Sequence, residues 1–555
     1  MDFKSEKIKV RFRDYSKTNI DRLLANLPSE RQIFLINTYS ICDDVHTKAE
    51  KINNWLIKLA NKYFPIKTKI ITQNTLSHPW ITNDIRKCID KKHKILSDYR
   101  NGSASFSYLS NYCKDLKYLL ELAERNYHQE QLSLRRFDSK RKWKYINKIS
   151  GRNTNSNVEI EHLDTDNGRI DDAEAVIEYS NSYFTRIPRI IHDDIEAPRN
   201  NYLHLVPYNA ESIFLTPTSI AEIINKASTL KNKNSLYDVP AKFLKLIIEH
   251  VADILTDLFN ACIENSTYPN IFKVSKVVML HKKGSKHVID NYRPISILPT
   301  INKLFEKLLH DRFYSFLSSH SIISNDQYGF LPNRNTTLAS LKFVNDILPS
   351  YNSMGNTTPA LFIDFRKAFD TLDRPLLLKK LNRMGIRGTS NDLLKSYFDN
   401  RKQFVNDSSR NINSRTLPNE YGCVQGSNLG PLMFILYAND LHQLFVGDEC
   451  VRVVTYADDT LIYIDLDRYA DNNHIETKLT EILNRLLDWA NFHKLAINFE
   501  KTKIMFFTNS NLNNRFAPNF AFSGKEIEIV KVFNYLGINL DMRLKYTDYV
   551  RTLEV

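Results

Sequence analysis

The most informative pattern in the chain is an apolar run, a short polar break and a second apolar run. Val451-Arg452-Val453-Val454 and Leu461-Ile462-Tyr463-Ile464 are rich in β-branched and aromatic residues and predict two strands. Between them, Thr455-Tyr456-Ala457-Asp458-Asp459-Thr460 predicts a hairpin connection that carries two adjacent carboxylates. Upstream, the apolar run Ala360-Leu361-Phe362-Ile363 leads into Asp364 and then into a polar, helix-like stretch, Phe365-Arg366-Lys367-Ala368-Phe369-Asp370. Helical spacing recurs elsewhere. It is seen around Asn53, Trp55, Leu56, Leu59 and Ala60, in the stripe Leu116, Leu119, Leu120 and Ala123, and at Ile220, Ile223, Ile224 and Ala227 after Pro217. It is clearest over Pro240–Phe259, at Phe243, Leu244, Ile247, Ile248, Val251 and Leu255. Residues 1–75 read as a few helices without a catalytic cluster. Pro431 can begin a helix whose run Leu432–Leu436 is most simply core. A polar break at Ser150–Asn157 and an irregular stretch near Ile190–Pro207, with Pro188, Pro198 and Pro207, are candidate boundaries. No internal repeat is present.

Composition narrows the class. A chain of 555 residues is too long for one ordinary domain. At 42% apolar and 25% charged residues it is globular rather than disordered, and only 14 Gly and 18 Pro favour long helices. The net charge of +13 favours an acidic polymer or surface as partner. Much of the excess lies in Arg86–Lys148, with 16 Lys and Arg against 7 Asp and Glu, interleaved with Tyr99, Tyr112, Tyr118, Tyr127, Phe137, Trp143 and Tyr145. That segment fits a solvated helical pair with one stripe packed inward, and equally an RNA-binding face; the two readings are compatible. The cysteines Cys42, Cys88, Cys113, Cys262, Cys423 and Cys450 are scattered, which argues against a zinc module or disulfide framework and suits a reducing compartment. No run reaches the length of a membrane span, and Met1-Asp2-Phe3-Lys4-Ser5-Glu6 is no signal peptide.

An Asp-Asp pair in a turn, taken alone, is most simply a solvated turn. Asp364 changes that reading. Carboxylates converging from separate strand ends can hold a pair of divalent ions for in-line phosphoryl transfer, and Mg²⁺ accepts such oxygens while completing its octahedron with water and phosphate. Successive side chains on a strand face opposite ways, so Asp458 is expected to share both ions with Asp364, and Asp459 to be peripheral. Asp370 and Asp373 read as helix-start or surface acids.

The motifs follow a fixed order. Lys276-Val277-Val278-Met279-Leu280-His281-Lys282-Lys283-Gly284 precedes Asn291-Tyr292-Arg293-Pro294-Ile295-Ser296-Ile297-Leu298, then Lys303-Leu304-Phe305-Glu306-Lys307 and Gln327-Tyr328-Gly329-Phe330. After the Asp364 strand come Gly422-Cys423-Val424-Gln425-Gly426-Ser427-Asn428-Leu429-Gly430-Pro431, the Asp458 hairpin, Asn498-Phe499-Glu500-Lys501-Thr502-Lys503 and Tyr535-Leu536-Gly537. This series, over about 270–545, resembles the reverse transcriptase of non-long-terminal-repeat retrotransposons (LINEs), especially the Jockey-like branch.

The resemblance implies an α/β (α+β) right-hand polymerase with fingers, an antiparallel palm sheet, a largely missing thumb and a helical N-terminal extension. It divides the chain into a basic helical region 1–150, a lead-in 151–269, the reverse transcriptase 270–545 and the start of a truncated thumb 546–555. It assigns Asp364, Asp458 and Asp459 to two Mg²⁺ ions, with Mn²⁺ as a substitute, and places Phe369 under the sugar of the incoming nucleotide, where a ring would exclude a 2′-hydroxyl. Gln425 falls near nucleotide and template, Arg293 on the triphosphate with Lys282 or Lys283 assisting, and Lys501 where the leaving pyrophosphate is protonated. Tyr535, Leu536 and Gly537 match the primer-grip turn. Without the motifs these residues read as a core Phe, surface cations, a strand-end Lys and a simple hairpin. Val424 replaces the family's usual Pro, which implies altered loop stiffness.

The implied activity is RNA-directed DNA synthesis, within target-primed reverse transcription. Its partners are an RNA template, a DNA primer or target and dNTPs, with no membrane and an endonuclease domain elsewhere in the element. A ribonucleoprotein in cytoplasm and nucleus is the implied location. The alternative is a catalytically inactive, truncated nucleic-acid-binding relic, because the chain stops at Leu553-Glu554-Val555, where a thumb is expected to begin. An RNA-dependent RNA polymerase is disfavoured by Phe369 and by Leu429-Gly430-Pro431.

Overall fold

The computed structural model describes residues 7–41, 44–72, 80–134, 139–149, 160–166, 168–231, 238–353, 356–466, 472–509 and 519–546. The break at Ser150–Asn157, Phe137 and nearly all of 546–555 lie outside these residues. Two compact units result, one of residues 1–14 and 65–159, the other of 15–64 and 160–555. The expected region 1–150 is therefore divided, with 15–64 belonging to the larger unit.

The smaller unit contains a strand pair where helices were expected. Lys7–Arg13 alternates charged and apolar residues, the period of a strand, and pairs antiparallel with Ile66–Thr72, Lys7 lying opposite Thr72. Three helices follow, Asn83–Arg100, Phe106–Ser133 and Ser139–Ile149. The side-chain oxygens of Thr82 and Ser105 cap the first two by accepting the amides of Ile85 and Tyr108. Ile85, Ile95, Leu109 and Leu116 are buried, but Leu119 is 38% exposed, so the inward stripe is narrower than its spacing predicts.

In the larger unit, helices Lys17–Phe34 and Val45–Tyr63 share one apolar core with helix Ala241–Glu264. All six apolar positions expected in Pro240–Phe259 are buried, each worth about 1.5–3 kcal/mol. Helix Ala173–Asp193 contains Pro188, so the irregular stretch begins only after Asp193. Helix Ile220–Ser228 starts at Ser219, whose hydroxyl accepts the Glu222 amide, and helix Gly430–Ala438 carries Pro431 in its first turn. The latter is apolar all round and nearly wholly buried, as such a helix must be.

Two sheets frame this unit. A five-stranded sheet runs in the order Leu417–Pro418, Lys402–Asp407, Val274–His281, Tyr292–Ile297, with Ile412–Asn413 paired to Lys402–Asp407. A six-stranded sheet runs Val451–Tyr456, Asp459–Ile464, Thr358–Ile363, Lys503–Phe507, Lys525–Ile529, Asn519–Phe522. It is antiparallel, as expected, except between Lys503–Phe507 and Lys525–Ile529, which pair in parallel. Strand alternation divides its faces. Leu361, Ile363, Ile462 and Ile504 join the main core, whereas Ala360, Phe362, Leu461, Met505 and Phe507 pack with Phe343 and Ile347 of helix Thr336–Asn352.

Beneath the first face lies a fully buried polar knot. Lys380 Nζ meets Asp440 Oδ1 at 2.5 Å and donates to His493 Nε2 at 2.8 Å. His493 Nδ1 donates to the Trp489 carbonyl (2.7 Å), and its Nε2 also lies 3.1 Å from Asp440 Oδ2. Burial works to raise the Asp440 carboxyl, yet the Lys380 charge holds it well below the carboxylate range. Burial and then Lys380 push His493 down. Removing one partner of such a knot leaves an uncompensated buried charge. Among the described residues no helix is long and apolar enough to cross a membrane.

Candidate active site

The strand Thr358–Ile363 is buried at every position and runs into Asp364. Its end is fastened on both sides: the Asp364 amide donates to Thr502 Oγ1 (3.3 Å), and its carbonyl accepts from the Asn498 amide (2.7 Å). The neighbouring strand places Thr460 opposite Ile363, so the register continues with Asp459 beside Asp364. In the hairpin, Tyr456 pairs with Asp459 across a two-residue turn, Ala457-Asp458, in which Ala457 is left-handed (φ 58°). Acids 94 positions apart in the chain thus reach one end of paired central strands.

Their electrostatics express this crowding. Burial, followed by the Asp364 charge, raises the Asp458 carboxyl, with Arg293 and Lys282 opposing. Asp459 is pushed up to about 6 by burial, then by Asp458 and Asp364. Asp364 and Asp458 are half-buried and Asp459 is the exposed member of the three. A divalent cation would relieve the repulsion that raises these groups, and hard carboxylate oxygens are its natural ligands. Among the described residues no three His, Cys, Asp or Glu side chains form a ready-made metal cluster. Two or three carboxylates would supply only part of a Mg²⁺ shell, the rest coming from water and phosphate.

Cations face the acids. Arg293 stands exposed on the strand Tyr292–Ile297, and its charge is felt at Asp458, Asp459 and Asp370. Lys282 follows the partner strand, its amide donating to the Asn291 carbonyl (2.8 Å). Burial and then Arg293 and Lys501 lower the Lys282 ammonium, which places these three cations close together. Lys283 is exposed beside it. Lys501 is exposed on the turn whose Asn498 holds Asp364, and its own amide donates to the Asn498 carbonyl (3.2 Å).

Phe369 is half-buried, stacked on Phe434 with ring centroids 4.4 Å apart and edge-on to Phe330 at 6.2 Å. The loop bearing Gln425 is fastened to both neighbours. The Cys423 amide donates to the Phe369 carbonyl (2.9 Å), and the Gln425 carbonyl accepts from the Ser296 amide (2.8 Å). These bonds, with buried Val424 accepting from Ser427, supply constraint where the family's proline is missing. Behind Gln425 lies a cavity of about 30 Å³, roughly one water, lined in part by Pro294, Ser296, Asp370 and Tyr421.

Asp373 caps helix Arg374–Arg383 as expected of a helix-start acid, accepting the Leu376 amide (2.7 Å). Asp370 differs. It is half-buried and accepts a hydrogen bond from Gln425 Nε2 (2.8 Å), and burial pushes it up to about 6. Sequence reasoning missed this partner of Gln425 because a helix-start acid and a loop-holding acid look alike until the loop is placed. It also attached no role to Glu306, fully buried and accepting the Asn428 amide (2.7 Å) from behind the same loop. Tyr535, Leu536 and Gly537 close the hairpin Val532–Tyr535/Ile538–Asp541, with Leu536 (φ 50°) and Gly537 (φ 90°) both left-handed, the geometry that two-residue hairpin loops require. Tyr535 is buried against Phe362 (5.5 Å), and burial, then the charge of Asp459, raises its hydroxyl.

Comparison with known proteins agrees with these motifs. Residues 280–540 match the family model described as "Reverse transcriptase (RNA-dependent DNA polymerase)". The chain is 27% identical over 350 residues to the RNA-directed DNA polymerase from mobile element jockey of Drosophila melanogaster, covering 62% of this chain and 37% of that protein. It is 28% identical over 368 residues to the probable RNA-directed DNA polymerase from transposon BS of the same organism (65% and 38%). It is 29% identical over 337 residues to that from transposon X-element (60% and 36%). The chain thus spans less than two fifths of these relatives' lengths. By its ordered motifs and these matches, the segment 280–540 is similar to the reverse transcriptases of LINE-type, non-long-terminal-repeat retrotransposons.

Proposed function

We propose that this chain extends a DNA primer with dNTPs on an RNA template, within target-primed reverse transcription, where a nicked chromosomal strand is the primer and the element's RNA the template. In this reading the six-stranded sheet is the palm and the five-stranded sheet belongs to the fingers. The observation that carries it is the meeting of Asp364 and Asp458 at the ends of paired strands, opposite Arg293 and Lys282.

Asp364 and Asp458 would hold two Mg²⁺ ions, with Asp459 at the edge. When bound, such ions lower the pKa of the primer 3′-hydroxyl and neutralise charge on the triphosphate and leaving pyrophosphate. Arg293 presents a planar, always-charged guanidinium to the triphosphate, with Lys282 beside it. The Phe369 ring lies under the sugar and excludes a 2′-hydroxyl. Gln425 contacts nucleotide and template, and Lys501 carries the proton that the pyrophosphate takes up. The Tyr535-Leu536-Gly537 turn, within reach of the Asp459 charge, holds the primer terminus. The basic helices of the smaller unit bind RNA through phosphates and stacking, and an endonuclease activity elsewhere in the element supplies the nick. The complex works as an intracellular ribonucleoprotein.

The test is primer extension on poly(rA)·oligo(dT) with Mg²⁺ and dTTP. Extension by the wild type that Asp458→Ala abolishes supports the reading. If neither protein extends while both bind the duplex, the chain is a nucleic-acid-binding relic.

A further inference from the structure

Gln327-Tyr328-Gly329-Phe330 brings no charged group to the acids, yet it lies along the hairpin that carries them. Gln327 pairs with Thr455 as a parallel bridge. The Thr455 amide donates to the Asp326 carbonyl (2.9 Å), and the Tyr328 amide donates to the Thr455 carbonyl (2.8 Å). The Gln327 side chain is 3% exposed, and its carboxamide oxygen accepts from the amides of Ala457 (2.9 Å) and Gly329 (2.7 Å). Both partners are backbone donors, so the atom facing them has to be the oxygen, which fixes the amide orientation. At Gly329 the backbones approach so closely that a Cβ would overlap the Ala457 nitrogen. From the far side the Arg334 guanidinium donates to the carbonyls of Ser324 (3.0 Å), Asn325 (2.9 Å) and Gln327, bolting the segment in place.

Ala457 immediately precedes Asp458, and its left-handed backbone (φ 58°) is one that L residues with a Cβ disfavour. Such a conformation persists where its surroundings over-determine it. The Ala457 amide is the handle by which this happens, because a buried N–H without an acceptor is costly and Gln327 supplies the acceptor.

We infer that Gln327 is a positioning residue of the polymerase site: its carboxamide oxygen holds the Ala457 amide and so fixes the direction in which the turn presents Asp458 to Asp364 and to the ions they share. Gln327 touches neither substrate nor ion; it acts through the turn. The inference rests on the reading of Asp364 and Asp458 as the reacting site.

The test compares the full chain with Gln327→Met, which keeps length and volume but removes the acceptor, and with Gln327→Glu, which keeps an acceptor oxygen. Three quantities are read: amide exchange at Ala457, Mn²⁺ binding to the free protein by electron paramagnetic resonance, and kcat with KM for primer–template. In Gln327→Met, exchange at Ala457 is expected to speed up at least about tenfold, and Mn²⁺ affinity and kcat to fall by about 10- to 100-fold, the usual effect of losing an outer partner of a metal site. KM for primer–template stays as in wild type, and Gln327→Glu keeps Ala457 protected. If Gln327→Met does not fold, Gln327→Asn, one methylene too short to reach, gives the same discrimination. Faster Ala457 exchange with wild-type Mn²⁺ binding and kcat overturns the inference, as does an Ala457 amide already unprotected in the wild type. Asp458→Asn is run in parallel. If that variant still polymerises, the reading of the acids fails; if it is inactive while Gln327→Met behaves as wild type, only the role of Gln327 fails.

Discussion

The acid-bearing end of the six-stranded sheet and the basic helices of the smaller unit both suit nucleic acid, but by opposite means. At the sheet, Asp364 ends a fully buried strand and Asp458 sits in a two-residue turn braced by Gln327. In the helices, Tyr118 and Trp143 are 68% and 61% exposed, and few side chains are buried. A site that needs a geometry is rooted in packed elements and is vulnerable to single changes. A surface that works by charge and stacking spreads its contribution, so it tolerates single changes and answers to salt.

The largest expected effect tests the rooted site. Asp458→Ala should lower primer extension by about a thousandfold or more while leaving duplex binding intact, since ion-mediated stabilisation of the transition state is worth several kcal/mol. A parallel loss of binding, seen in a gel-shift titration, would break the contrast. Next, Phe369→Val should raise rNTP incorporation by about tenfold or more, read as the ratio of kcat/KM for rNTP and dNTP. Unchanged sugar selectivity would leave Phe369 as a core residue stacked on Phe434.

Asp370→Ala should reduce kcat/KM for dNTP by about tenfold, because Gln425 loses its partner, whereas Asp370→Asn, which still offers an acceptor, should lose less. Equal losses in the two variants would remove the hydrogen bond from the account. On the charged surface, Arg86, Lys91, Lys94 and Lys114 changed together to Gln should weaken RNA binding and flatten its log–log salt dependence by ~0.7 for each phosphate no longer neutralised, with kcat unaltered. An unchanged slope would take RNA off these helices.

The smallest effect concerns the core beneath the sheet. Burial lowers His493, and it lowers His442 to about 4, so between the ordinary histidine value of about 6.5 and pH 4 the unfolded chain takes up protons that the folded chain refuses. The stability these two histidines contribute should therefore fall as pH drops through that window, while the raised Asp370 and Asp459 work in the opposite direction. The depressed Asp440 adds a contribution that is fully present above the ordinary carboxylate value and lost only at still lower pH. Thermal melts of the wild type and His442→Gln from pH 7.5 to 4.5 check this; a Tm difference between them that does not change with pH would contradict it.

How much was legible in the sequence followed the range of the interactions. The Asp458 hairpin, the Asp364 strand and helices 241–264 and 430–438 declare themselves through local periodicity, and the ordered motifs add the family. The pairing of Lys7–Arg13 with Ile66–Thr72 did not, because two helices of the other unit intervene and each strand alone is short. Asp370 and Gln327 were illegible for another reason. A carboxylate after a strand and a glutamine in a loop acquire roles only from the groups that tertiary folding sets beside them, Gln425 in one case and Ala457 in the other.

The claim that two strand ends make one site has a direct measurement: single-turnover primer extension by Asp364→Asn, Asp458→Asn and the double variant. Groups acting as a unit are non-additive, so each single change should cost about as much as both together. Losses that simply multiply, or an Asp364→Asn variant that extends like the wild type, would contradict it.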